Sequence, residues 1–194
     1  MAAKKKKYVV AITGASGSIY GIRLLEELKK NPDIECHLVL SKWGAVNIAE
    51  ETDYSVRDVT AMADAVYAND QLNAKISSGS FRHNGMVIVP CSMKTVSAIS
   101  SGYGDTLIAR AADVCLKERF PLLLAPRETP LHQIHLRNLL TLAEAGAIIM
   151  PPMPIFYACP QSVNDIVDYT VGRMLQTLGI ENDLVRIWTG EGHI

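Results

Sequence analysis

The chain has 194 residues, 48% of them apolar, with 19 Lys and Arg against 20 Asp and Glu for a formal charge of −1. That length supports one domain with a full core and no disulfide or metal staple, and the even balance excludes a dedicated nucleic-acid binder, which carries a basic excess. The charged fraction, 20%, lies below the usual ~25%, a sign that surface is buried between subunits.

Residues 1–7, including the basic run Lys4 to Lys7, read as a flexible tail. The apolar stretch behind it, Tyr8 to Ile12, is too short for a secretory h-region. Tyr8–Thr13 reads as a buried strand, and Gly14-Ala15-Ser16-Gly17 leads from it into a helix that Asn31-Pro32 stops. Glu35–Leu40 is a second strand, followed by a helix from Trp43 to Glu51. Asp53 to Gly79 is mixed, with a short helix over Val56–Ala63. Met86–Val89 is a third strand, ended by Pro90; helices follow over Lys94–Ser101 and Thr106–Arg119. Leu122–Ala125 is a fourth strand, Leu131–Ala145 a helix closed by Gly146, and Ala147–Met150 a fifth strand.

Ala145 to Asn164 carries no charge over twenty residues, but four prolines make it a rigid loop rather than a membrane span. The last helix runs from Ser162, at capping-box spacing from Asp165, to Leu178 and Gly179. Its core face is expected to hold Val163, Ile166, Val167, Thr170, Val171, Met174 and Leu178. Cys36, Cys91, Cys115 and Cys159 are unevenly spaced with no C-x-x-C pair, as expected of small buried residues in a reducing, cytoplasmic compartment.

Alternating strands and helices imply an α/β fold. It is expected to be a single-domain doubly wound parallel sheet, Rossmann- or flavodoxin-like, spanning 1–194 with a C-terminal extension over 180–194. Ligands of such sheets sit beyond the carboxyl ends of the strands. After the first strand, the small-residue turn with Ser16 and Ser18 offers backbone N–H groups and a helix dipole to an anion. It is not G-x-G-x-x-G, and the second strand ends in Ser41-Lys42 rather than a ribose-gripping acid, so FMN fits better than NAD. After the third strand, Ser92, Met93, Lys94 and Thr95 open a helix, and Lys94 is the only charged residue between His83 and Gly104. After the fourth, Pro126 and Pro130 brace Arg127 and Glu128. Arg110, Asp113 and Lys117 share a helix face and read as a salt-bridged stripe. Arg173 borders the core face of the last helix, reaching either over the core edge or into a cleft. His132 and His135 have metal-pair spacing but no evident third ligand, so no metal site is assigned.

In combination the motifs are specific. Thr13-Gly-Ala-Ser-Gly-Ser18, Ser41-Lys42, Glu51-Thr-Asp53, Pro90-Cys-Ser-Met-Lys-Thr95 and Arg110-Ala-Ala-Asp-Val114 are followed by Leu116-Lys-Glu-Arg119 and Pro126-Arg-Glu128. Ile134-His-Leu136, Pro151-Pro-Met-Pro154, Phe156-Tyr157 and Pro160-Gln-Ser162 complete the set. In this order, over nearly the whole chain, they resemble the UbiX-type flavin prenyltransferases, a branch of the flavoprotein family that also contains cysteine decarboxylases. Ser77 to Phe81 and the Met93-Lys94 pair look like the branch found with hydroxyarylic-acid decarboxylases. Arg137, where many relatives have Glu, and the lack of an aromatic residue over Leu72 to Ser80 depart from the pattern.

The resemblance implies that Gly14, Ala15, Ser16, Ser41, Ser92, Met93, Lys94, Thr95 and Arg127 bind FMN. It implies that Tyr157, Arg173 and Trp188 bind dimethylallyl phosphate, with Arg110 and Lys117 contributed by neighbouring subunits. Ser16, Glu51 and Glu128 are implied as catalytic. It further implies a homododecamer with sites between subunits, metal-independent transfer of the prenyl group to N5 and C6 of reduced FMN, and delivery of prenylated FMN to a UbiD-type decarboxylase. Two other readings are a flavin-dependent cysteine decarboxylase and a non-catalytic flavin carrier. Such cysteine decarboxylases use a His shortly after the first helix, and none lies between Gly14 and Cys36.

Overall fold

Strand β1 (Lys6–Ile12) is buried from Tyr8 onward and lies at the centre of the sheet, where an uncharged run belongs. It begins at Lys6, inside the stretch expected to be a tail, because Lys7 is half-buried and paired with Glu35. The computed structural model describes residues 5–185. Around β1 stand β2 (Ile34–Leu40), β3 (Ala65–Ala68), β4 (Gly85–Cys91), β5 (Leu122–Pro126) and β6 (Ile148–Ile149). Among the described residues they form one sheet in the order β3-β2-β1-β4-β5-β6, and all five pairings are parallel. This is the Rossmann order of the doubly wound class, and its switch point falls between β1 and β4.

The helices are α1 (Ser18–Lys30), α2 (Lys42–Glu51), α3 (Val56–Thr60), α4 (Met93–Ser100), α5 (Leu107–Glu118), α6 (Gln133–Glu144) and α7 (Val163–Thr177). Strand alternation divides the core in two. Tyr8, Val10, Ile12, Val87, Val89, Leu123 and Ala125 face Leu24, Leu25, Leu28, Val171 and Met174 of α1 and α7. Val9, Ala11, Met86, Ile88, Leu122 and Leu124 face Val96, Ile99, Ile108, Ala112 and Cys115 of α4 and α5. The central strands β1, β4 and β5 therefore bury both faces.

Four expectations change. The mixed stretch holds a sixth strand, β3, at the sheet edge, where Tyr67 is buried and Val66 is 45% exposed. Pro90 does not end β4; it sits at a register shift between Ile88 and Cys91, where its missing N–H costs no ladder bond. On α7, Val163 is 74% exposed rather than on the core face; Val167, Thr170, Val171 and Met174 are buried as expected, Gly172 and Leu175 join them, and Leu178 packs against the core edge. Cys159 is exposed, whereas burial pushes the thiols of Cys36 and Cys115 up to about 12 and raises Cys91 as well.

Helix α6 is unlike its neighbours, because only Leu142 is buried while Ile134, Leu136 and Leu140 lie open. His132 caps it by accepting the His135 amide at 3.4 Å, and the two imidazoles stack with centroids 3.4 Å apart. No helix of the described residues is long and apolar enough to cross a membrane.

Candidate active site

The loops beyond β1 and β4 meet at the switch point through Thr13. Its hydroxyl donates to the Pro90 carbonyl at 2.7 Å and accepts the Ser92 amide at 2.8 Å. One buried side chain thus fixes both turns at the place where such sheets bind ligands. Beside it, Gly14 is obligatory, since a Cβ there would lie 2.3 Å from Cβ of Trp43. Gly17 precedes α1 at φ 100°, left-handed backbone that suits glycine.

Gly17 has no side chain to cap α1, and Glu51 at the end of α2 takes that part. Its carboxylate accepts the Gly17 amide at 2.8 Å, the Ser18 amide at 3.2 Å and the Ser18 hydroxyl at 3.0 Å. Partial burial alone would raise this carboxyl, but the two amides and the Ser16 and Ser18 hydroxyls outweigh it and hold its pKa below the ordinary range. The amides expected to greet an external anion thus already serve the chain's own carboxylate. Ser16 and Glu51, both expected to be catalytic, meet here. Asn47, one helical turn before Glu51, donates to the Ala15 carbonyl at 3.0 Å. Sequence reasoning missed it; its i,i+4 spacing from Glu51 was the available signal.

Hydroxyls close the other two turns. Ser41 Oγ accepts the Gly44 amide at 2.9 Å and caps α2, while Ser92 Oγ caps α4 and lies 3.1 Å from the Thr95 hydroxyl. Met93 is buried beneath this turn, and Lys94 stands exposed on it. The Arg127 amide donates to the Cys91 carbonyl at 3.1 Å, holding the β5 turn against that of β4. The adjacent Arg127 and Glu128 side chains form no ion pair with each other; Glu128 accepts the Thr129 amide at 3.0 Å. Lys94 and Arg127 have no side-chain partner among the described residues.

The remaining expected site residues stand on other elements. On α5, Arg110 pairs with Asp113 and donates to the Ser77 carbonyl at 3.2 Å, while Lys117 pairs with Glu118. The stripe expected from spacing is present in part: Arg110 does pair with Asp113, but Lys117 turns to the adjacent Glu118 instead of to Asp113. Arg173, on the exposed side of α7, donates to Gln176 at 2.8 Å. The Tyr157 hydroxyl lies 2.5 Å from that of Tyr169. Trp188 lies outside the described residues.

Two unneutralised cations and a group of hydroxyls at the switch point define a nucleotide-binding α/β protein, suited to a ligand with a phosphate. The chain belongs to the Flavoprotein family, whose profile matches residues 1–175. It is 54% identical over 187 residues to the flavin prenyltransferase LpdB of Lactiplantibacillus plantarum, covering 96% of this chain and 100% of that one. A dodecameric FMN-dependent UbiX-like decarboxylase from Escherichia coli O157:H7 is 49% identical with a TM-score of 0.93, covering 95% of this chain and 100% of that one. AnUbiX, solved with FMN and dimethylallyl pyrophosphate, is 48% identical with a TM-score of 0.94, covering 97% of this chain and 100% of that one.

Proposed function

We propose that this protein is a flavin prenyltransferase that moves the dimethylallyl group of dimethylallyl phosphate onto N5 and C6 of reduced FMN. The observation that carries the reading is full-length likeness to LpdB at 54% identity, joined to a cationic, hydroxyl-lined switch point. The donor set fits FMN: Lys94 and Arg127 are charges without a side-chain partner among the described residues, and Ser16, Ser41, Ser92 and Thr95 bring hydroxyls to the turns at the same end of the sheet. Gly14, Ala15 and Met93 complete the expected flavin surface. Reduced FMN supplies the nucleophile when bound.

The chain's own residues hold and polarise. Loss of phosphate from an allylic carbon builds negative charge, which fixed guanidinium and ammonium groups stabilise. Arg173 and Tyr157 receive that phosphate in this reading, with Trp188 from the C-terminal segment and with Arg110 and Lys117 from adjoining subunits. For a monophosphate these cations suffice in place of a metal ion. In this reading the proton lost from C6 goes to the released phosphate or to Glu128, which is tied to its own turn, while Glu51, held ionised by its four donors, and Ser16, hydrogen-bonded to it, act beside the flavin.

Subunit contact is part of the proposal. Ile134, Leu136 and Leu140 on α6 expose 63%, 52% and 58% of their surface, and Phe156 exposes 72%. Apolar surface of this extent marks an interface. A homododecamer with shared sites accounts for it and for the low charged fraction. The product would pass to a UbiD-type decarboxylase in the cytoplasm. Incubating the protein with reduced FMN and dimethylallyl phosphate tests the reading: a flavin heavier by one five-carbon unit is expected, and an unchanged flavin mass overturns it.

A further inference from the structure

We propose that Asn47 is a positioning residue that aims the backbone amide of Ser16 at the bound flavin nucleotide. The inference rests on the reading of Gly14, Ala15 and Ser16 as flavin-binding residues. The turn after β1 carries the amides of residues 14–18, and the chain treats them as two sets. Those of Gly17 and Ser18 donate to Glu51 at 2.8 and 3.2 Å. Those of Gly14, Ala15 and Ser16 donate to no group among the described residues. Ala15 is buried and Ser16 half-buried, so the peptide that joins them lies at the edge of the packed interior. A backbone donor in such a place is satisfied by water or by a ligand.

Asn47 decides which way the last of these amides points. Its side-chain nitrogen donates to the Ala15 carbonyl at 3.0 Å. The Ala15–Ser16 peptide is trans, and a planar trans peptide sets its C=O and N–H in opposite directions. Drawing the carbonyl towards α2 therefore turns the Ser16 N–H away from α2. In the sheet, β2 and β4 flank β1 on opposite sides, and α2 follows β2, so a donor turned from α2 is turned towards the switch point. Glu51 does not do this in its place, because it grips the next two amides and not the Ala15 carbonyl. Among the described residues, that carbonyl accepts from Asn47 alone. Without Asn47, turning the peptide forfeits no hydrogen bond, and a carbonyl oxygen can face the ligand where a donor stood.

Fluorescence titration of the flavin-free protein with FMN tests this on wild type, Asn47→Ala, Asn47→Asp and Ser16→Pro. The aspartate keeps the size of the side chain and, ionised at neutral pH, has no hydrogen to donate. Asn47→Ala and Asn47→Asp should each raise Kd for FMN roughly fivefold to tenfold, the worth of one neutral hydrogen bond. KM for dimethylallyl phosphate at saturating reduced FMN should move by less than about twofold, because Tyr157 and Arg173 stand on other elements. A residue that merely holds α2 would lower the thermal midpoint and leave Kd of the folded protein unchanged. In the Ser16→Pro background, which lacks the amide, adding Asn47→Ala should change Kd by less than about twofold. Wild-type Kd in Asn47→Asp, or additive effects in the double variant, overturns the positioning role, even where Asn47→Ala fails to fold. A Ser16→Pro variant with wild-type Kd overturns the underlying assignment of Ser16 instead, and the positioning role falls with it.

Discussion

Two polar regions of this molecule use similar side chains to opposite ends. Where β2 and β3 meet residues 75–84, Glu35 is matched by groups of the chain itself. His37, wholly buried, bonds Tyr67 through Nδ1 at 3.0 Å and Glu35 through Nε2 at 2.8 Å; Glu35 also pairs with Lys7. Lys7 and Lys75 lie 4.8 and 5.2 Å from the centroid of Phe81, which meets His37 edge-on. At the carboxyl ends of β4 and β5, by contrast, Lys94 and Arg127 have no such partners among the described residues. A cation neutralised by its own chain stabilises the fold, whereas one left unmatched keeps its full field for a ligand. What sets Lys94 and Arg127 apart from other cations without a side-chain partner, such as Lys42, Arg119 and Arg137, is their position directly beyond β4 and β5.

Substitutions on each side should therefore fail differently. The largest effect is expected from His37→Ala, which strands the Tyr67 hydroxyl and opens a cavity. About 2–4 kcal/mol of stability should be lost, or about 5–15 °C in thermal midpoint, while flavin titration is unchanged. Next comes Arg127→Ala, expected to weaken FMN binding about 10- to 100-fold, the ~1.5–3 kcal/mol of a hydrogen bond to a charged group, with the thermal midpoint of the flavin-free protein preserved. Fluorescence titration and thermal melts on both variants check the pair; a destabilised Arg127→Ala protein would erase the distinction. A smaller effect follows from acidification. Burial lowers the pKa of both His37 and His83, against the pull of Glu35 on the first and of the Gly85 backbone on the second. The unfolded chain then binds protons more readily, so wild-type stability should fall as pH drops below ~6.5. Denaturant midpoints at pH 7.5 and 5.5 measure it.

Periodicity in the sequence locates most elements because parallel strands buried on both faces are uncharged runs, and Asn31-Pro32, Gly146 and Gly179 punctuate them. It is silent on β3, whose four residues Ala65–Ala68 pair on one side only and alternate between buried and open. It finds α6 but not which way the helix faces: Ile134, Leu136 and Leu140 are as apolar as core residues, and no pattern within one chain separates buried apolar residues from exposed ones. At the site, Ser41, Ser92, Lys94 and Arg127 are legible because each follows a strand directly. The reach of Glu51 back to residues 16–18 is not, since it joins groups more than thirty positions apart.

Glu51 also stands across the division drawn above, for it lies at the functional end of the sheet yet has its bonds filled by the chain. Its capping role alone predicts that Glu51→Gln loses about 1 kcal/mol or less, visible as a drop of about 2–4 °C in thermal midpoint. Because the folded-state pKa of Glu51 is lowered, its stabilisation is complete above the unfolded value near 4.3 and disappears as pH falls through the folded one. Wild type and Glu51→Gln should therefore differ at pH 7 and converge below about pH 4. Turnover decides the rest. If Glu51 also moves a proton, prenylation by Glu51→Gln should slow by at least 100-fold, the usual scale of a general acid or base, under conditions where the variant remains folded and flavin-bound. A stability loss of the expected size with turnover intact would place Glu51 with Glu35 and His37, as a carboxylate retained to hold a turn.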